Sequence, residues 1–94
     1  MTILHIEHPV LDFIGWKMAF DGDPVGRKKS GVRRYRILRP INDPNYVMID
    51  LEFDNPSQAE ALLAAMRTVW NRVEGTIMMD PKARIVEVVE NKEY

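Results

Sequence analysis

The alternation of apolar and polar residues is clearest between Gly31 and Asp54, in the stretch GVRRYRILRPINDPNYVMIDLEFD. Two runs rich in β-branched and aromatic residues flank a central cluster of turn-forming residues. That cluster comprises Pro40, Asn42, Asp43, Pro44 and Asn45. Two such runs around a cluster of turn formers predict a β-hairpin.

The charged residues of this hairpin predict its register. With the loop centred on Asp43, Arg34 lies opposite Glu52 and Arg36 lies opposite Asp50 on one face. A shift by one residue would place both arginines opposite aliphatic side chains and lose both ion pairs. Because each cross-strand ion pair contributes roughly 0.2–1 kcal/mol, the first register is favoured. One face of the hairpin is then apolar and the other is charged.

Two further elements precede the hairpin. Thr2 to His8 alternates and predicts a first strand, which Pro9 ends. Asp12 is a plausible N-cap for a short helix. The apolar side chains of this helix recur at helical spacing, with Ile14 and Met18 widening the stripe formed by Phe13, Trp16 and Phe20. The following loop, Asp21 to Ser30, has room for a single helical turn opening at Asp23 and Pro24.

A longer helix and a last strand follow the hairpin. Asn55, Pro56 and Gln58 form a helix start with an N-cap, a first-position proline and a capping glutamine. The apolar stripe of this helix comprises Ala59, Leu62, Leu63, Met66, Trp70 and Val73. Gly75 is a suitable C-cap, Thr76 to Met79 reads as a short extended piece, and Ala83 to Glu90 as the last strand.

The order β-α-β-β-α-β predicts a ferredoxin-like α+β sandwich, with a four-stranded antiparallel sheet and both helices on one face. The opposite face of the sheet would be open. It would present His5, Glu7, Arg34, Arg36, Asp50 and Glu52, with Glu87 joining them if the last strand has the matching phase.

Composition limits the class of protein. The 94 residues are 46% apolar and 29% charged, which is typical of one folded domain spanning residues 1–94. A net charge of −1 provides no global attraction to nucleic acid or to an anionic membrane. The absence of cysteine excludes disulfides and thiolate chemistry. We expect a cytoplasmic protein, since no signal-peptide pattern or membrane-length apolar run is present.

The segment from His8 to Asp21, HPVLDFIGWKMAFD, resembles the opening of a group of small bacterial proteins in the dimeric α/β-barrel superfamily. The matching positions are His8, Asp12, Phe13, Trp16, Lys17, Phe20 and Asp21. The basic-to-glycine step from Arg27 to Gly31, the turn Asp43 to Asn45 and the LEFD ending of the third strand also fit. The resemblance implies a homodimer whose sheets pack face to face. The superfamily includes antibiotic-biosynthesis monooxygenases, polyketide cyclases and haem-degrading enzymes, and fold alone does not choose among them.

Three local motifs suggest a zinc site, a phosphate-binding loop and a nucleic-acid surface, and in each case the sequence favours a simpler explanation. His5 and His8 lie three apart on a strand and point to opposite faces, so a shared zinc ion is not expected. Gly26 to Gly31, GRKKSG, lacks the spacing of a phosphate-binding loop, although it can meet an anionic ligand tail. The basic run from Arg27 to Arg39 suggests nucleic acid, but the third strand lacks an RNA-platform signature. We therefore predict no nucleic-acid or membrane partner and no metal or other cofactor.

The charged face is the candidate site. In a functional interpretation, His5 is an acid/base and Arg34 or Arg36 holds an anion or enolate, with Asp50 and Glu52 beside them. In a structural interpretation, which the predicted Arg–carboxylate pairs favour, the same residues form a salt-bridge network in the dimer. The resulting hypotheses are a cofactor-independent, monooxygenase- or cyclase-like enzyme or binder of a small organic ligand, and a non-catalytic interaction or ligand-sensing module.

Overall fold

Strands and helices follow one another in the order βαββαβ in the computed structural model. The elements are β1 (Thr2–Pro9), α1 (Phe13–Asp21), β2 (Arg34–Leu38), β3 (Tyr46–Phe53), α2 (Pro56–Val73) and β4 (Lys82–Glu87). The structure describes residues 1–73 and 80–94. The predicted C-cap at Gly75 and the extended piece Thr76 to Met79 lie outside the described residues. The assignment of residues 1–94 to one domain stays a prediction.

The four strands form one sheet in the order β2-β3-β1-β4, and every neighbouring pair is antiparallel. This arrangement confirms the predicted ferredoxin-like α+β fold. The hairpin register is also confirmed, because Arg34 pairs with Glu52 and Arg36 pairs with Asp50. Each of these pairs is directly cross-strand, where side chains interact most strongly.

The core lies between one face of the sheet and the two helices. Alternate residues of β1 and β3 are buried there, which is why both strands show a strict two-residue periodicity. Helix α2 contributes Ala59, Leu62 and Met66 from one side. The buried apolar residues of the sheet's central strands are Leu4, Ile6, Val47, Ile49, Leu51 and Phe53.

Aromatic side chains fix the short helix α1 against the sheet. Trp16 stacks on Phe20 with ring centroids 5.2 Å apart, and Phe20 meets Tyr35 of β2 edge to face at 5.1 Å. The expectation that Ile14 and Met18 widen this buried stripe is wrong. They are 70% and 71% exposed, because a nine-residue helix covers the sheet with only one narrow stripe.

The predicted N-caps are present on both helices. The Asp12 carboxylate accepts a hydrogen bond from the Gly15 backbone N–H at 2.9 Å, and the Asn55 side chain accepts one from Gln58 at 3.0 Å. A single hydrogen-bonded turn opens at Asp23 and Pro24, where the Gly26 N–H donates to the Asp23 carbonyl at 3.2 Å, and Asp23 has a left-handed backbone with φ of 51°. Its carboxylate accepts from the Arg27 N–H at 2.9 Å and so closes the loop.

The alternation of side chains along the last strand places Glu87 on the helix-covered face and not on the open face. Glu87 pairs with Thr2, whose side chain lies on the helix-covered face. Arg84 instead pairs with His5 and Lys82 with Glu7, so β4 adds cations to the open face. Strand β4 ends at Glu87, three residues earlier than predicted, and a backbone hydrogen bond from the Val88 N–H to the Met1 carbonyl continues its line. No helix in the described residues has the length and apolar character required to cross a membrane.

Candidate functional site

The open face of the sheet is defined here by the side chains that point away from the helices. They are Ile3, His5, Glu7 and Pro9 of β1; Arg34, Arg36 and Leu38 of β2; Tyr46, Met48, Asp50 and Glu52 of β3; and Lys82, Arg84 and Val86 of β4. On each strand, at least two ionisable side chains thus lie next to an apolar one. The face carries both the predicted site and enough apolar surface to contact another protein surface.

His5 lies between two carboxylates on this face. Its Nδ1 is 2.6 Å from Asp50 Oδ1, and its Nε2 is 2.8 Å from Glu7 Oε2. Asp50 is the direct cross-strand neighbour of His5, and Glu7 is the next residue on the same face of β1. Since an ionised carboxylate only accepts hydrogen bonds, both ring nitrogens donate when His5 is protonated.

The hydrogen bonds extend from His5 in both directions across the sheet. The Tyr46 hydroxyl donates to Glu7 Oε1 at 2.9 Å, and Arg36 Nε donates to Asp50 Oδ2 at 3.2 Å. These contacts form a continuous chain, Tyr46–Glu7–His5–Asp50–Arg36, called the polar chain below. Sequence reasoning missed Tyr46, because its contact with Glu7 depends on how β1 pairs with β3, and no turn connects those strands.

The polar chain shifts the pKa values of His5, Glu7 and Tyr46. Burial lowers the pKa of His5, but the hydrogen bonds to Glu7 and Asp50 and their negative charges outweigh it, so the His5 pKa is raised. The hydrogen bond from His5, with a second from Tyr46, lowers the pKa of Glu7. The hydrogen bond to Glu7 raises the pKa of Tyr46. The polar chain therefore favours the protonated, positively charged form of His5, which lies between the carboxylates of Glu7 and Asp50.

The two arginines of β2 remain accessible although each is paired. Arg34 Nε lies 2.9 Å from Glu52 Oε2, and the Arg34 and Arg36 side chains are 73% and 72% exposed. Glu52 and Asp50 are much less exposed, at 19% and 15%. The carboxylates therefore form a floor, and the guanidinium groups stand above it where a ligand can reach them.

A cavity of about 420 Å³ lies over this floor. Its lining includes all four residues predicted to bind a ligand, Arg34, Arg36, Asp50 and Glu52. The remaining lining residues are Ile3, Tyr35 and three residues of the C-terminal segment, Val88, Glu90 and Asn91. The volume is within the range of small-molecule sites. His5 does not line this cavity and reaches it only through Asp50.

His8 lies on the other side of the sheet from His5. It is 1% exposed, and its ring meets Trp16 edge to face with centroids 6.0 Å apart. Its Nδ1 donates to the Pro9 carbonyl at 3.0 Å, while burial lowers its pKa. The two histidines therefore cannot share an ion, and among residues 1–73 and 80–94 no cluster of three or more His, Asp or Glu has a metal-binding arrangement.

Comparison with solved structures identifies the class of fold. The chain is similar to a candidate antibiotic biosynthesis monooxygenase from Nitrosomonas europaea, with a TM-score of 0.72 and 18% identity over 96% of this chain and 100% of the other. It is also similar to SnoaB, a cofactor-independent oxygenase from Streptomyces nogalater, with a TM-score of 0.76 and 10% identity over 96% and 94% of the two chains. A dimeric ferredoxin-like protein from an uncultured marine organism gives a TM-score of 0.66 and 14% identity over 97% of each chain.

The fold is therefore the ferredoxin-like fold of antibiotic-biosynthesis-monooxygenase-like and dimeric ferredoxin-like proteins. No family model matches the sequence, and no curated protein matches it. Identities of this size establish the fold and leave activity to the site itself.

Proposed function

We propose that this protein is a homodimer that binds a small organic ligand in the open-face cavity, as a cofactor-independent, oxygenase- or cyclase-like enzyme. The observation that carries the proposal is the cavity above Asp50 and Glu52, which places two accessible arginines beside apolar walls. Arginine pairs well with planar oxyanions such as a carboxylate or an enolate. Similarity to SnoaB, described as a cofactor-independent oxygenase, supports the same class of chemistry.

His5 has an indirect place in this proposal. It is 30% exposed, it contacts the Asp50 carboxylate from outside the cavity, and its pKa is raised. His5 is therefore suited to be a proton donor near neutral pH. Because it lies outside the cavity lining, a proton would pass between His5 and the ligand by way of Asp50. His5 is then a positioning residue that also supplies charge.

The homodimer is proposed from the open face. Ile3, Leu38, Met48 and Val86 are apolar side chains on this face, and Leu38 and Val86 are 40% and 41% exposed. A second copy would remove this surface from water, and a chain of 94 residues gains stability from such a partner. Dimeric proteins with the same fold support the arrangement.

The dimer can be tested by light scattering at micromolar concentration. Ile3→Asp, at an apolar position of the open face, should shift the mass towards the monomer. Ile14→Asp is the matched control, because Ile14 is apolar and exposed on the outer side of α1. A monomeric mass for the unmodified protein would disprove the dimer.

The ligand site can be tested with a panel of enolisable and carboxylate-bearing aromatic compounds, using calorimetry for binding and oxygen uptake for turnover. Arg36→Ala should abolish both. Arg33→Ala is the control, because Arg33 is also an exposed arginine paired with a carboxylate, Asp54, but does not line this cavity. Equal effects of the two substitutions would disprove the site.

A second candidate function is a non-catalytic ligand-sensing or interaction module. The observation that favours it is the saturation of the polar chain, since both nitrogens of His5 already contact carboxylates and each carboxylate has a partner. This function predicts binding without oxygen uptake or product. The same ligand panel separates the two candidates.

A further inference from the structure

Strand β4, at one edge of the sheet, carries two cations on the open face that have no carboxylate partner of their own. Lys82 and Arg84 are both exposed, and among the described residues neither forms an ion pair within 4.0 Å. They lie opposite Glu7 and His5 of β1. Glu7 already accepts hydrogen bonds from His5 and Tyr46. The β4 edge of the open face therefore has an excess of positive charge.

The open-face cavity, towards the β2 edge, has the opposite imbalance. Its lining contains two arginines and three carboxylates, namely Arg34, Arg36, Asp50, Glu52 and Glu90. Each arginine is already paired with a carboxylate of β3. Glu90 is exposed, and within residues 1–73 and 80–94 it forms no ion pair within 4.0 Å. The cavity of a single chain therefore lacks one positive charge.

One row of residues crosses the sheet and joins these two regions. Arg84 of β4 pairs with His5 of β1. His5 pairs with Asp50 of β3, which in turn pairs with Arg36 of β2. Because neighbouring strands lie about 4.8 Å apart, the backbones of Arg84 and Arg36 are separated by roughly 14 Å. Arg84 accordingly does not line the cavity of its own chain.

The uneven charge favours one orientation of the proposed homodimer. Two open faces packed with their strands aligned are related by a twofold axis that runs either across the strands or along them. An axis across the strands places β4 over the partner's β4, so that the unpaired cations of the two copies meet. An axis along the strands places β4 over the partner's β2 and keeps each residue over its own row. Because like charges are unfavourable across an interface, the second orientation is favoured, and it brings Arg84 over the partner's cavity.

We propose that each cavity of the homodimer is completed by the partner's Arg84, which pairs with Glu90 across the interface. This arginine supplies the positive charge that the lining of a single chain lacks. The partner's Lys82, two residues away on the same face of β4, adds a positive charge for the oxyanion of a ligand. The inference rests on the homodimer and the cavity proposed above, and it makes each of the two sites depend on both chains.

The test uses two charge-reversal variants of the full chain, Arg84→Glu and Glu90→Arg, and measures the dissociation constant of the dimer by sedimentation equilibrium. Each variant alone should weaken its homodimer about tenfold, because two like-charge contacts replace two ion pairs. A mixture of the two variants should form a heterodimer within about threefold of the unmodified affinity, because reversed charges meet in one contact and native charges in the other. Native mass spectrometry of the mixture counts the two kinds of dimer. Pairing of Arg84 with Glu90 within one chain would not favour the heterodimer.

Arg67→Glu is the matched control, because Arg67 is an exposed arginine of α2 and lies on the helix side of the sheet. Mixed with Glu90→Arg, it should show no preference for a heterodimer. A statistical distribution of chains in the mixture of Arg84→Glu and Glu90→Arg would overturn the shared site and leave the homodimer standing. A monomeric mass for the unmodified protein would overturn both.

Discussion

The imidazole of His5 donates from Nδ1 to the carboxylate of Asp50 at 2.6 Å, directly across the boundary between β1 and β3. The same carboxylate accepts from Arg36, so Asp50 joins the two central strands to the edge strand. Glu7 holds the other nitrogen of the ring. The charge on His5 is therefore part of what stabilises the open face, and changing that charge should be measurable.

The stability of the protein should decrease with rising pH because of His5. Its folded-state pKa is raised above the ordinary value of 6.5, so its contribution is fully present below about pH 6.5 and is lost as the pH rises through the folded pKa. His5→Gln should therefore cost more free energy of unfolding at about pH 5.5 than at about pH 8.5. Urea denaturation of both proteins at each pH measures the difference. An equal cost at the two pH values would contradict a charged His5.

Removing the Tyr46 hydroxyl should alter Glu7 without disturbing the fold. The lowered pKa of Glu7 depends first on the hydrogen bond from His5 and then on the one from Tyr46. In Tyr46→Phe the Glu7 pKa should rise part of the way towards its ordinary value, as followed by NMR titration of the side-chain carboxyl. Tyr35→Phe is the control, since Tyr35 contacts Phe20 by its ring and lies away from Glu7. A Glu7 pKa that is the same in Tyr46→Phe and the parent would contradict the polar chain.

Truncating a side chain on the buried side of α1 should lower the free energy of unfolding much more than truncating one on the exposed side. Phe20 is 8% exposed, stacks on Trp16 and lies under the Arg27 guanidinium at 3.9 Å. Phe20→Ala should therefore lower the free energy of unfolding by about 3–5 kcal/mol. Met18→Ala, at a position 71% exposed, should change it by less than about 0.5 kcal/mol. Thermal and urea unfolding distinguish these values, and a costly Met18→Ala would indicate that a partner covers the outer side of α1.

Gly31 should be intolerant of even a single added methyl group. Its φ is +98°, and a Cβ atom would lie 2.7 Å from the Gln58 side chain. Gly31→Ala should lower the free energy of unfolding by about 1–3 kcal/mol from backbone strain alone. Gly22→Ala is the control, because Gly22 has an ordinary right-handed φ of −64°. Similar unfolding free energies for the two variants would show that the loop rearranges freely.

Sequence determined the local parts of this fold better than the long-range ones. The hairpin register followed from residues close in the chain, since placing Arg34 and Arg36 opposite carboxylates favours this pairing over one shifted by a residue. The sequence alone does not set the phase of β4, because this strand pairs with β1 from the other end of the chain and no turn connects the two strands. The exposure of Ile14 and Met18 on the outer side of α1 was not predictable, because the sequence shows only that both residues are apolar.

In the candidate site, too, the local contacts were predictable from the sequence and the long-range contacts were not. The four charged cavity-lining residues on β2 and β3 could be placed together from the hairpin alone, whereas the position of His5 relative to them required the pairing of β1 with β3. The contribution of Val88 and Glu90 to the cavity was not predictable. The sequence pattern predicts that both residues belong to the last strand, but they line the cavity because β4 ends at Glu87.

Strand β2 lies at the edge of the sheet, and one side of its backbone is not paired within it. Such edges attract other strands and can seed aggregation, and natural proteins protect them with charged side chains and proline. The exposed side chains of Arg34 and Arg36, with Arg39 and Pro40 just beyond the strand, provide this protection here. Replacing these arginines with neutral residues would therefore carry a cost in solubility on concentration, in addition to any effect on ligand binding.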